Sequence, residues 1–170
     1  MSKFTKGMIF TLPPKTVSQE VINRYADAAE DHNPLHIDPE FAKTTRYGGT
    51  IAHGMLSAAF LQELLMRTFG EAWMTNGEIS LNFMAPVHSG DTVTAEAKVF
   101  ALHEETGRVT LRLSVTDAEG TKVISGKASR RRRSDGPAGS RAIAETRPAG
   151  PAKGKARKEG VTCCIGSGKG

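Results

Sequence analysis

A short polar stretch, "EDHNPLHIDP" at residues 30–39, contains residue types that could transfer a proton. Asp31 and His36 stand five positions apart, and Asn33 and Pro34 lie between them. Because Pro34 lacks an amide hydrogen and restricts Asn33, a helix must end near Asp31. A carboxylate and an imidazole flanking such a turn can converge on one water molecule, which one group deprotonates and the other orients. The same residues could instead be structural, with Asp31 in a turn and His36 as a satisfied, partly buried histidine.

A second stretch, "GGTIAHGML", places Gly54 at the start of an apolar segment. A helix N-terminus offers free amide donors, and a glycine there lets a ligand approach the backbone closely. An amide directed at a carbonyl oxygen would stabilise negative charge developing on it. With an acid–base pair, this is the minimum set for adding water to a conjugated carbonyl compound or removing it. Gly48, Gly49 and Gly54 could also serve turn geometry and close packing alone.

The elements that position these residues are helical first and extended later. Ser18 is the predicted N-cap of a helix to about Ala29, and Asp38 with Pro39 begins a second, short helix. The segment "HGMLSAAFLQELLMRTFG" predicts a helix buried nearly all round, ending at Gly70. "GMIFTL" resembles a short strand, and four longer strands follow with Gly-containing turns at "HSG", "EETG" and "AEG". The pattern predicts an α+β fold, an antiparallel sheet wrapped around one long buried helix.

The charge of the chain is divided between a body and a tail. Of the 170 residues, 38% are apolar and 24% charged, as in a soluble globular domain. Residues 130–170 hold 11 Lys/Arg against 3 Asp/Glu, whereas residues 1–129 hold 12 against 15. The tail is therefore predicted to be basic and disordered. No nucleic-acid binding is expected of the mildly acidic body, while the tail's arginine run leaves RNA, DNA or an anionic lipid surface open.

Several classes of protein are disfavoured. No apolar run is long enough for a membrane span or a secretion signal, so a cytoplasmic protein without membrane association is expected. No GxGxxG, P-loop or HExxH is present, and Cys163 and Cys164 lack metal-ligand spacing, so neither a metal site nor a cofactor is predicted. A sheet packed on one helix leaves an exposed edge, which predicts a homodimer.

The segment "YADAAEDHNPLHIDPEFA" resembles the hydratase motif of the MaoC-like (R)-specific enoyl-CoA hydratases, which have the hotdog fold. The motif is an Asp, any residue, Asn-Pro, an aliphatic residue, His, and a small residue six positions further on. The matching residues are Asp31, Asn33, Pro34, Leu35, His36 and Ala42. "TIAHGML" resembles the stretch entering the family's central helix, and "LNFMAPVHSGDTVTAEAKV" resembles its following strand. The resemblance covers roughly residues 5–129 and implies a hotdog hydratase domain at residues 1–129. It says nothing about the tail at 130–170, which is predicted from composition alone.

The resemblance implies an activity and a role for each site residue. The reaction would be hydration of a trans-2-enoyl-CoA to the (R)-3-hydroxyacyl-CoA, or the reverse, with CoA as part of the acyl-CoA substrate and no separate cofactor. Asp31 and His36 would be the catalytic pair, with Asp31 accepting a proton from the water that His36 holds. The Gly54 amide would bind the thioester carbonyl oxygen, and Asn33 would shape the turn. Apart from the resemblance, His53 precedes the buried helix, where it could help to line the substrate pocket or make a structural contact alone.

Two departures from the family pattern and three alternatives stay open. Many members have glycine where this chain has Glu30. Some place a serine on the central helix where this chain has Gln62, and whether Ser57 substitutes for it is open. The alternatives are a dehydratase of fatty-acid synthesis acting on carrier-protein thioesters, a hotdog acyl-CoA thioesterase, and a non-catalytic acyl-CoA binding module.

Overall fold

The structure, a computed structural model, describes residues 4–131. Five helices and six strands lie in this range. The strands are β1 (Ile9–Thr11), β2 (Lys15–Thr16), β3 (Gly77–Phe83), β4 (Thr92–His103), β5 (Arg108–Asp117) and β6 (Lys122–Arg131). The helices are α1 (Gln19–Ala29), α2 (Pro34–Ile37), α3 (Pro39–Lys43), α4 (Gly54–Phe69) and α5 (Glu71–Asn76). The disorder predicted for the tail concerns residues that, from 132 onward, lie outside the described range.

The sheet is antiparallel, with strand order β1-β4-β5-β6-β3 and β2 also paired to β4. The two hairpins joining β4 to β5 and β5 to β6 turn at Gly107 (φ 59°) and Gly120 (φ 85°), as the sequence predicts. β3 pairs with the last strand, β6, rather than with its sequence neighbour β4. This pairing leaves β3 at one edge of the sheet.

Helix α4 packs on the inner face of the sheet and forms the core with it. Leu61 and Leu65 are fully buried, and each such burial stabilises the fold by about 1.5–3 kcal/mol. On β4, every second residue from Val93 to Val99 is buried, as expected of a strand with one face against a helix. The α+β class is confirmed. The burial of α4 is less complete than predicted, because Met55 in its first turn is 61% exposed.

The predicted helix boundaries are confirmed at several caps. The Ser18 side chain accepts a hydrogen bond from the Val21 amide at the start of α1, and Asp38 caps α3 in the same way. The short helices α2 and α5 were not predicted, because four and six residues are too few to show a helical period. β6 extends to Arg131, two residues past the predicted domain boundary. No helix among residues 4–131 is long and apolar enough to cross a membrane.

Candidate active site

The turn that carries Asp31 begins with a left-handed residue. Helix α1 ends at Ala29, and Glu30 adopts φ 54° and ψ 28°. The Asp31 amide then donates to the carbonyl of Ala26 (3.0 Å), the bond that closes many helix C-termini. A glycine adopts this conformation without a steric penalty, which explains the glycine that the family motif has at position 30. The chain thus turns sharply, and Asp31 is the first residue beyond it.

Asn33 and Pro34 start the next helical turn. The Asn33 side chain accepts a hydrogen bond from the Leu35 amide (3.0 Å), and the Asn33 amide faces Asp31 Oδ1 at 3.4 Å. Pro34 occupies the first position of α2, where an amide would have no hydrogen-bond partner within the helix, so the lack of an amide hydrogen costs nothing. Asn33 is exposed. Its observed contacts are those of a residue that shapes the turn.

The His36 imidazole is held by a main-chain carbonyl. Its Nδ1 lies 2.7 Å from the carbonyl oxygen of Ile51. Because a carbonyl oxygen only accepts, Nδ1 carries the hydrogen, and in the neutral ring Nε2 has a free lone pair. The Gln19 side chain also donates to the main-chain carbonyl of His36 (2.7 Å). The free nitrogen of His36 is therefore an acceptor in a fixed position.

The structure brings Asp31 and His36 together, and His53 with them. One side-chain nitrogen or oxygen of each residue lies within 4.8 Å of the other two. Two acceptors about 4.5 Å apart can share one water molecule, since each hydrogen bond spans about 2.8 Å. A water held by the Asp31 carboxylate and by His36 Nε2 would donate both hydrogens and direct an oxygen lone pair outward. This geometry suits attack by water on an electrophilic carbon.

A cavity of about 520 Å³ opens beside His36 and the start of α4. Its volume is in the range of small-ligand sites. The lining residues are His36, Arg46, Tyr47, Ile51, Ala52, Gly54, Ser57, Phe83, Met84, Ala85, Pro86, Val87, Val123 and Ile124. Most of this surface is apolar, as an acyl chain requires, and the polar side chains that line it are His36, Arg46, Tyr47 and Ser57. Asp31 is outside the lining, with its side chain 55% exposed and next to His36.

Gly54, the first residue of α4, lines this cavity. The amides of Leu56 and Ser57 donate to the carbonyl of His53 (3.0 and 3.4 Å), so the Gly54 amide precedes the internal bonds of α4. A Cβ at position 54 would lie 3.1 and 3.2 Å from two ring carbons of Phe83. Glycine therefore allows the close approach of Phe83 at this end of the helix.

The open question about a hydroxyl on α4 has a structural answer. Gln62 accepts a hydrogen bond from the indole nitrogen of Trp73 (2.8 Å), a residue of the unpredicted helix α5. Ser57 is 3% exposed and lines the cavity one turn after Gly54. Of these two residues, Ser57 is the one with access to a bound ligand.

His53 makes structural contacts beside the pair. It is 4% exposed and is not among the lining residues of the cavity. Its Nε2 lies 2.9 Å from the main-chain carbonyl oxygen of Asp31, and its ring stacks on that of His36 at 3.8 Å. Of the two roles that the sequence left open for His53, these contacts are those of a structural residue, and a part in lining the substrate pocket stays a prediction. Asn33 also lies outside the lining, since its side chain caps α2.

The cluster of Asp31, His36 and His53 is also the group whose atoms could hold a metal ion. Metal-bound imidazoles direct their nitrogen lone pairs at one point. Here one nitrogen of each ring already donates to a main-chain carbonyl, Nδ1 of His36 to Ile51 and Nε2 of His53 to Asp31, so each neutral ring keeps one lone pair. The absence of a metal site stays a prediction from the sequence.

A comparison with family models identifies the chain. The model of the MaoC like domain matches residues 4–119, which is most of the chain. The chain belongs to the MaoC-like family. The match includes Asp31, His36, the whole of α4 and all of the lining residues of the cavity except Val123 and Ile124. The hotdog fold implied by the sequence resemblance is confirmed.

Curated and solved MaoC-like relatives agree with this assignment. The chain is 41% identical over 114 residues to an (R)-specific enoyl-CoA hydratase of Rhodospirillum rubrum, covering 67% of this chain and 78% of the relative. It is 35% identical over 105 residues to 3-hydroxyacyl-thioester dehydratase Z of Mycobacterium tuberculosis, covering 59% and 69%. The structure of the (R)-hydratase of A. caviae involved in PHA biosynthesis superposes with a TM-score of 0.68 at 33% identity, covering 76% and 97%.

Proposed function

We propose that this MaoC-like protein is an (R)-specific enoyl-CoA hydratase, which adds water to trans-2-enoyl-CoA to give the (R)-3-hydroxyacyl-CoA. The observation that carries the proposal is the placement of Asp31 and His36, with polar atoms within 4.8 Å of each other, next to a cavity that Gly54 also lines. The names and 41% identity of the (R)-specific hydratases support the substrate class and the stereochemistry.

The pair would act on one water molecule. Asp31 accepts a proton while the water oxygen forms a bond to C3 of the enoyl group, and His36 Nε2 holds the second hydrogen. The electrons of the C2–C3 double bond move towards the thioester carbonyl. C2 then takes up the proton that Asp31 accepted, which returns the carboxylate to its starting state. The oxygen of that carbonyl gains negative charge, which the Gly54 amide would stabilise. No electron acceptor or metal enters this balance, so the proposed reaction needs no cofactor beyond the CoA of the substrate.

The reverse reaction uses the same groups in the opposite order. A relative named 3-hydroxyacyl-thioester dehydratase is consistent with the same chemistry run backwards. A thioesterase would also use a carboxylate and a water molecule, but it would direct that water at the carbonyl carbon instead of C3. A binding module would not depend on Asp31 or His36. These alternatives give different products, so one assay can separate them.

The test combines loss of the enoyl absorbance of crotonyl-CoA with a thiol reagent in a parallel well. Loss of absorbance without free thiol supports hydration, while free thiol indicates a thioesterase, and chiral chromatography of the product identifies the enantiomer. Longer enoyl-CoAs are run beside crotonyl-CoA to find the preferred chain length. If none of them is hydrated and no thiol appears, the proposed activity is wrong and a binding module is favoured.

Two variants test the pair without disturbing the fold. Asp31→Asn removes the base while keeping the shape of the side chain. His36→Asn keeps an amide hydrogen near the position of Nδ1, so the bond to the Ile51 carbonyl can persist, while the Nε2 acceptor is lost. Each should lower turnover at least about a hundredfold with little change in melting temperature. A near-normal rate in either variant would remove that residue from the mechanism.

We also propose that the protein is a homodimer joined along β3. This edge strand is exposed along nearly its whole length, and Ile79 and Phe83 on one of its faces are 37% and 53% exposed. Apolar side chains and unpaired main-chain groups on an open edge favour pairing with a second copy. Analytical ultracentrifugation should show a dimer, and Ile79→Lys should shift it towards monomer. A monomeric wild-type protein would contradict this proposal. A cytoplasmic location stays a prediction from the sequence.

A further inference from the structure

His53 is the residue that contacts both members of the proposed pair from the front of α4. It precedes the first residue of α4 and is buried, although histidine is not an apolar residue. Its side chain makes no capping hydrogen bond to α4. The side chain is directed instead towards the turn at Asp31, 22 positions earlier in the chain.

The first contact of His53 fixes the main chain of Asp31. Its Nε2 is 2.9 Å from the Asp31 carbonyl oxygen and 3.8 Å from Asp31 Oδ2. Because a carbonyl oxygen only accepts, Nε2 carries a hydrogen and donates it. Nδ1 is buried and has no hydrogen-bond partner among residues 4–131. In the neutral ring this nitrogen carries no hydrogen, and no donor from the described part of the chain faces it. The Asp31 turn is thereby joined to the start of α4.

The second contact supports the ring of His36. The imidazoles of His36 and His53 are stacked with centroids 3.8 Å apart, and the ring of Tyr25 packs on His53 at 5.0 Å. The bond to the Ile51 carbonyl fixes one edge of the His36 ring, and the stack restrains its plane. Together the two contacts determine where His36 Nε2 lies relative to the Asp31 carboxylate.

We propose that His53 is a positioning residue that holds Asp31 and His36 at the separation needed to share one water molecule. It acts through the Asp31 main chain and the His36 ring and does not touch the substrate, since it lies outside the cavity lining. The effect of His53 on kcat rests on the proposed hydratase function. Loss of His53 contacts should lower kcat and leave KM nearly unchanged, because positioning affects the reacting water and not the acyl-CoA.

The two contacts can be removed separately. His53→Phe keeps a ring to stack on His36 but cannot donate to the Asp31 carbonyl. His53→Gln keeps an N–H donor near the position of Nε2 but cannot stack. Each should lower kcat about tenfold with KM within twofold of wild type, and His53→Leu, which loses both contacts, should lower it about a hundredfold. Leu65→Val is the matched control, because it weakens the buried side of the same helix without contacting the pair.

A second measurement is independent of activity. Long-range ¹H–¹⁵N spectra of the imidazoles report which nitrogen of His36 carries the hydrogen, and amide spectra report the turn at Asp31. We expect the amide signal of Asp31 to shift in His53→Phe and the ring signals of His36 to broaden in His53→Gln, while Leu65→Val changes neither. The melting temperature of every variant is measured in parallel, and if one variant does not fold the other carries the test.

The outcomes separate the two proposals. If wild-type protein hydrates no enoyl-CoA, the proposed function fails, whereas the spectra still show whether His53 positions Asp31 and His36. If wild type is active and both single variants keep a kcat within twofold of wild type, the positioning role is wrong. The positioning role is also wrong if the loss of kcat in the His53 variants only follows the loss of melting temperature, as we expect for Leu65→Val. It is likewise wrong if the signals of Asp31 and His36 are unchanged in both variants.

Discussion

Substitution of Gly54 by alanine tests whether the first amide of α4 acts on the thioester carbonyl. A Cβ at this position would lie 3.1 and 3.2 Å from ring carbons of Phe83, closer than an ordinary contact of 3.4–4 Å. The ring must therefore move by a few tenths of an ångström. The atoms in contact belong to the Phe83 side chain and not to the main chain, so the ring can shift and the variant should fold.

The effect on stability should be small because two contributions oppose each other. Turning Phe83 away from its preferred rotamer costs about 0.5–1.5 kcal/mol. Replacing a helical glycine by alanine stabilises the folded state by about 0.5–1 kcal/mol, since the unfolded chain loses freedom. The free energy of unfolding should therefore change by less than about 1 kcal/mol, a shift in melting temperature of at most about 5 °C.

The effect on catalysis should be much larger. Gly54 and Phe83 both line the cavity, so a methyl group at position 54 would take up space in which we propose that the thioester carbonyl approaches the amide. Loss of one such donor lowers kcat by about 10²–10³ in other enzymes. The expected loss in transition-state stabilisation of about 3–4 kcal/mol is several times the expected change in stability.

Steady-state kinetics with crotonyl-CoA and thermal unfolding would be measured for Gly54→Ala and for the double variant Gly54→Ala, Phe83→Leu. The smaller leucine side chain relieves the contact, so it should restore activity only if displacement of the Phe83 ring is the cause of the loss. We expect no restoration. If Gly54→Ala keeps more than about a third of the wild-type kcat/KM, or if the double variant recovers, the amide of Gly54 is not the donor to the carbonyl.

Three further predictions concern other contacts in the structure. Glu30→Gly should raise the free energy of unfolding by about 0.5–1 kcal/mol in thermal melts, because it removes the left-handed strain at φ 54°, and Glu30→Ala should not. Ser57→Ala should lower kcat/KM about tenfold at unchanged melting temperature, whereas Gln62→Leu should lower the melting temperature alone, since it leaves a buried indole N–H unpaired. The hydrogen bond from Lys15 holds the pKa of Glu63 below its usual value, so this carboxylate stabilises the fold at pH values above its unfolded-state pKa. The stabilisation is lost on acidification, so the free energies of unfolding of wild type and Glu63→Gln should converge as the pH falls below about 4. A difference in calorimetry that stays constant with pH would contradict this.

The parts of the site that depend on local sequence could be predicted. Pro34 fixes where α1 must end, Ser18 caps α1, and Asp38 begins α3, because each effect is confined to one helical turn. The convergence of Asp31 and His36 follows from the same turn. The left-handed conformation of Glu30 was not predicted, although it fits the glycine that many family members have at this position.

Features that depend on packing between distant segments could not be predicted. The pairing of β3 with β6 is set by how the sheet curves around α4, and the strand pattern alone does not contain it. The use of Gln62 by Trp73 depends on α5, a helix too short to leave a periodic signal. Ser57 was consequently left as one of two candidates, although it is the residue that lines the cavity.

Two contacts between the Asp31 turn and the start of α4 explain why the geometry of the site could not be predicted completely from sequence. His36 binds the carbonyl of Ile51, and His53 binds the carbonyl of Asp31, so in both cases the acceptor is a main-chain atom. A main-chain acceptor is present whatever the residue type, and only the donor histidine is specified by sequence. A sequence motif can therefore show that both histidines are present without showing which groups they bind. The stacking of the two imidazoles became visible only in the folded structure. The same holds for the structural contacts that His53 makes with Asp31 and His36.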